Sequence, residues 1–62
     1  MYTRNDLPLL GVTWRRFPTR RQALEFARYA ETETRHDEHP CEASVYHDDD
    51  PVEPWEVKVT NW

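Results

Sequence analysis

The sequence predicts a small α+β domain: strand, helix, strand, strand, with the helix on one face of a three-stranded sheet. Three observations carry this. Ala23, Phe26, Ala27 and Ala30 repeat with helical period behind a capping residue. Trp55, Val57 and Val59 alternate with Glu56, Lys58 and Thr60, the period of a half-buried strand. The chain has 62 residues, which leaves room for one domain with a modest core.

Taken in order, residues 1–9 read as an irregular arm, punctuated by Asn5-Asp6 and Pro8. The domain proper spans residues 10–62. Leu10 to Phe17 is the first strand, with Val12 and Trp14 placed inward against Thr13 and Arg15 outward. Pro18 ends it. Thr19-Arg20-Arg21-Gln22 fits a capping box, in which the Thr hydroxyl accepts from the Gln22 amide and the Gln side chain reaches back. The helix that follows buries its Ala/Phe stripe, with Leu24 at the edge, and frays from Glu31 to Thr34. Arg35 to Pro40 is a polar connection.

Cys41 to His47 is the second strand, with Cys41, Ala43, Val45 and His47 on one face and Glu42, Ser44 and Tyr46 on the other. Asp48 to Pro54 is an acidic loop stiffened by two prolines. Trp55 to Asn61 is the third strand. It has the cleanest alternation and gains most from two neighbours, so it is placed centrally in an all-antiparallel sheet. The uncovered sheet face is then expected to carry Thr13, Arg15, Glu42, Ser44, Tyr46, Glu56, Lys58, Thr60 and Trp62.

Charge is divided along the chain. Residues 1–35 hold seven Arg against four acids, and residues 36–62 hold one Lys against eight acids. Asp48, Asp49, Asp50, Glu53 and Glu56, with Glu42 nearby, form a negative field suited to steering toward a basic partner surface. Tyr46 or Trp55 beside them is a candidate aromatic anchor. Arg15, Arg16, Arg20 and Arg21 flank Phe17-Pro18-Thr19. Two of these cations fall in the first helical turn, where they oppose the helix dipole. They are a possible second contact, or a nucleic-acid site in an alternative reading of the chain as a small nucleic-acid-binding or autoregulatory protein. A homodimeric structural module is a third reading, so monomer and homodimer are both open.

His36, His39, Cys41 and His47 are zinc-ligand types, but their spacing matches no standard finger and no Cys-x-x-Cys is present, so no metal or cofactor is expected. A nucleophile–base pair of Cys41 and His47 would lie roughly 20 Å apart along an extended strand, so catalysis is not expected. The net charge of −4 argues against general affinity for nucleic acid or anionic membrane. With one cysteine, no leader-like segment and no long apolar run, the cytoplasm is the expected location.

In length, acidity and strand–helix–strand–strand layout, the whole chain resembles small phage or mobile-element inhibitors of the anti-CRISPR type, several of which are acidic DNA mimics. The resemblance implies binding to a Cas subunit at a basic surface used for target DNA, with no enzymatic step, in the cytosol of the host. The Arg-rich first half departs from a pure mimic and leaves room for contact with an acidic patch.

Overall fold

The computed structural model describes residues 2–61. Within them β1 (Gly11–Phe17), α1 (Arg20–Glu33), β2 (Glu42–His47) and β3 (Trp55–Asn61) follow one another. The sheet order is β1-β3-β2, and both pairings are antiparallel. β1 and β2 therefore run parallel, with β3 inserted between them, and α1 makes the crossover on one face. The expected fold class and the central place of the third strand hold.

β3 sets the inner face. Val57 and Val59 are fully buried beneath α1, with Ala43 and Val45 of β2 packed beside them. The expected faces of β2 and β3 hold, but those of β1 are reversed. Its register places Thr13 opposite Val59, Arg15 opposite Val57 and Phe17 opposite Trp55. Phe17 is buried, and a strand has period two, so burying Phe17 turns Thr13 and Arg15 toward the helix and Val12 and Trp14 outward. The Arg15 guanidinium stays compatible with that side by lying over the rings of Tyr2, Phe17 and Phe26, 5.2–5.7 Å from their centroids. Its head leaves the core margin to meet Asp6 at 3.2 Å. Trp62, expected on the open face, lies outside the described residues.

α1 starts where the sequence signals it. The Thr19 hydroxyl accepts from the Gln22 amide at 3.2 Å. The return half of the box differs: Gln22 Oε1 accepts from the Thr19 hydroxyl at 3.2 Å instead of reaching the Thr19 amide. Ala23, Phe26, Ala27 and Ala30 are the buried residues of the helix. Three alanines let its axis approach the sheet closely.

The far end of α1 does not fray. It runs to Glu33, and Thr34 beyond it is 1% exposed. The Thr34 hydroxyl donates to the Ala30 carbonyl at 2.7 Å and accepts from the Cys41 amide at 2.8 Å. One side chain thus fastens the helix end to the entry of β2. Thr34→Val keeps the shape but leaves the buried Cys41 amide without its acceptor. A loss of about 1–3 kcal/mol is expected in urea unfolding. An unchanged midpoint would show that Thr34 is a passive filler.

The N-terminal arm is packed against the domain. Leu7 is buried, and Tyr2 meets Phe26 and Tyr29 at centroid distances of 5.0 and 5.7 Å. A single 3-10 turn at Arg4–Asp6 is held by the Asp6 carboxylate, which accepts from the Thr3 amide at 2.9 Å. Arg4 donates to Asp37 at 2.6 Å and to the Glu33 carbonyl at 3.2 Å, clipping the arm to the helix end. The arm enters β1 through Gly11 at φ +106°, where any side chain would strain the backbone although space is free.

Candidate protein-interaction site

The acidic loop joins β2 to β3 and is built from its own carboxylates. Asp48 Oδ1 accepts from the Asp50 amide at 2.8 Å. Asp50 Oδ1 accepts from the amides of Val52 and Glu53, each at 2.8 Å. The Asp48 amide donates to the Pro54 carbonyl at 2.8 Å and closes the loop. These are nested side-chain turns, the reason Asp is frequent in tight connections. Two of the loop's acids are thereby structural.

Arg16, turned onto the open face by the phase of β1, stands at the base of this loop. Its Nη2 donates to Asp48 Oδ2 at 2.6 Å and lies 4.0 Å from Asp50 Oδ2, while Nη1 donates to Glu56 Oε1 at 2.9 Å. One guanidinium bridges three acids and ties β1 to the hairpin across β3. Its pKa rises further, chiefly through the Asp48 hydrogen bond. Asp48 is held below its ordinary 3.8, first by the Asp50 amide and then by Arg16. Asp50 is lowered by the Glu53 and Val52 amides. A carboxylate lowered in the fold contributes stability above its unfolded pKa and loses it as pH falls through the folded value. The melting temperature should therefore hold steady at neutral pH and fall from about pH 4 downward. Asp50→Asn should flatten that slope; an equally steep slope would place the acid sensitivity elsewhere.

Asp49 and Glu53 make no ion pair among the described residues and are exposed. Among the described residues Arg16 is the arginine paired with the hairpin acids, one guanidinium set against Asp48, Asp49, Asp50, Glu53 and Glu56, so a negative field survives.

Beside the loop the open sheet face carries an aromatic pair. Trp14 and Tyr46, on the two edge strands, meet across β3 at 5.9 Å and are 53% and 48% exposed. Lys58 lies between them in the sheet, its ammonium 5.7 Å from the Trp14 ring centroid. Val12 extends the apolar surface, and Glu42 borders it from β2. Tyr46 is where the sequence placed it. Trp55 also keeps the inward face its alternation gives it, half-buried on the helix side with its ring 4.5 Å from that of His47, so it is not the exposed anchor beside the acids. Trp14 takes its place as the exposed aromatic residue next to the acids.

The expected Arg cluster is dispersed. Arg15 faces the arm, Arg16 faces the hairpin, and Arg20 and Arg21 stand on the outside of α1, with Arg21 meeting only Glu25 at 3.3 Å. Neither Arg20 nor Arg21 pairs with the hairpin among the described residues. Cys41 is buried beside the Asn61 amide nitrogen at 3.4 Å, His47 covers Trp55, and His36 and His39 are exposed in the connection. No group of three or more metal-ligand types converges among the described residues. No helix there is long and apolar enough to cross a membrane. No family model, no curated protein and no solved structure matches this chain.

Proposed function

We propose that this chain is a non-enzymatic, protein-binding inhibitor of the anti-CRISPR kind. Its acidic hairpin and the adjoining open sheet face occupy a basic, nucleic-acid-binding surface of a Cas-type partner. The observation that carries the reading is the preformed hairpin: Asp48 and Asp50 bond to the loop amides, and Arg16 ties the loop to β1. The loop's charge is thus presented on a fixed frame, which lowers the ordering cost of binding. Asp49 and Glu53 supply the outward charge. Trp14 and Tyr46 supply large, half-exposed rings of the type that dominates interface energetics. The alternative use of Arg15, Arg16, Arg20 and Arg21 as one nucleic-acid patch is weakened, since Arg15 pairs with Asp6 of the arm and Arg16 with the hairpin acids, leaving only Arg20 and Arg21 together on α1.

The test is competition. Adding the chain to guide-loaded Cas effectors should suppress binding of a labelled target duplex for the responsive effector. Joint Asp48→Asn, Asp49→Asn and Asp50→Asn replacement should slow association and flatten its salt dependence. If no effector loses duplex binding, the reading falls.

A further inference from the structure

The α1 side of the sheet, opposite the face that carries Trp14 and Tyr46, holds a second surface. A trough of about 510 Å³ runs between α1 and β2, within the volume range of ligand clefts. Its floor is Leu24, Ala27, Ala43 and Val45, and Arg28 and Arg35 rim it. Arg28 and Arg35 make no ion pair among the described residues, and neither does Arg20 beyond the end of the trough. The acid in the trough is Glu31, whose carboxylate already accepts from the Ala43 amide at 3.3 Å.

That contact also fixes the phase of the strand edge. In an antiparallel ladder, alternate residues turn both main-chain groups to the same neighbour. Asp48 donates toward β3, and Ala43 donates away from it to Glu31. Glu42, Ser44 and Tyr46 therefore bond to β3, while Val45 and His47 direct their N–H and C=O groups outward along the free edge of β2. Glu31 covers one end of that edge and leaves the other open.

We propose that this trough binds an extended acidic peptide segment of a partner protein, added to β2 as a fourth strand. The exposed main chain of Val45 and His47 supplies the pairing groups, the usual basis of strand addition. Side chains of an added strand alternate between faces. Those on the helix side meet the apolar floor and the rim of Arg28 and Arg35, so acidic residues at alternate positions fit. A nucleic-acid backbone matches the charge but offers no ladder of N–H and C=O groups to Val45 and His47. This surface lies on the opposite face of the sheet from Trp14 and Tyr46 and meets the hairpin only at His47, next to Asp48, so the acidic residues of the peptide are placed toward Arg28 and Arg35.

The probe is a capped seven-residue peptide alternating Glu with Val, titrated into the isotope-labelled chain and followed by amide NMR. The expected result is saturable shifts and slowed exchange at Val45 and His47. Binding should weaken about tenfold on joint Arg28→Glu and Arg35→Glu replacement, both at exposed positions. A peptide N-methylated at its alternate amides should not bind. The proposal is overturned if shifts centre on Trp14 and Tyr46, or if a Lys-for-Glu peptide binds equally well. It is also overturned if the edge of β2 is protected in the free chain together with a dimeric mass, which would make a second copy the occupant. Tighter binding of a short DNA duplex to the same arginines, without protection of Val45 and His47, would likewise reject it.

Discussion

Replacing Phe26 by Ala is expected to leave the chain largely unfolded at room temperature. Phe26 is fully buried and is the largest side chain in that state among the described residues. Its ring meets Tyr2 at 5.0 Å and Phe17 at 5.4 Å, and the Arg15 guanidinium lies 5.2 Å from its centroid. It therefore joins the arm, β1 and α1. The rest of the buried set is small: three of the nine buried apolar residues are Ala and one is Cys. Phe→Ala in such a site costs about 3–5 kcal/mol. A chain of this length has about 3–9 kcal/mol in total. Far-UV circular dichroism and urea titration give the answer. A cooperative transition lowered by less than about 2 kcal/mol would show that the arm and the alanine stripe hold the fold without this ring. Phe26→Leu, which keeps most of the volume, should still fold.

The sequence was most readable where one period dominates. α1 has a single apolar stripe and a Thr cap, and β3 has a single alternation, so both elements and their buried faces could be read locally. β1 was misread because both of its phases carry large apolar groups: Val12 and Trp14 on one, Phe17 on the other. The choice between them is made by the pairing of Phe17 with Trp55, 38 positions away, and by the rings of Tyr2 and Phe26 behind it. Nothing within the strand records that pairing. Thr34 was misread for a related reason. Its hydroxyl has a local partner in Ala30, but the partner that makes it a lock is the Cys41 amide, brought in by the return of the chain.

The candidate site divides in the same way. The acidic loop was evident as a run of charge. The roles within it were not, although the Asp48-x-Asp50 spacing is itself a signal for side-chain turns, since each carboxylate can accept from the amide two residues on. The role of Arg16 depends on which way β1 faces. Adjacent strand residues point to opposite sides, so Arg15 and Arg16 could not both belong to one patch. The charge division first visible along the sequence is therefore partly internal. Arg16 binds the acidic half to the basic half, and Arg20, Arg28 and Arg35 remain as a separate positive surface along α1.

Trp14 and Trp55 separate stability from binding. Trp14 lies on the open face, half exposed, with Lys58 as its cross-strand neighbour and the Tyr46 ring 5.9 Å away across β3. Such pairs contribute roughly 0.2–1 kcal/mol to a sheet, so Trp14→Ala should move the urea midpoint little. In the proposed interface the same ring would be enclosed by the partner. Truncating an enclosed aromatic anchor costs about 2 kcal/mol or more of binding, a loss of roughly thirtyfold or greater. Trp55→Ala should behave in the opposite way. Its ring is half-buried on the helix side against His47, so removal should lower stability by about 1–2 kcal/mol, part of the loss seen for a fully buried ring. Affinity per folded molecule should stay close to the unaltered chain. Binding of both variants to the effector whose duplex binding the chain suppresses, measured beside their urea curves, decides the matter. If Trp14→Ala binds normally and Trp55→Ala loses affinity at full folding, the interface lies on the helix side and the open face is not the binding surface. If Trp14→Ala alone loses affinity, the acids and the aromatic pair work as one site. Its position then follows from the strand phase that turned Trp14 and Arg16 onto the same face.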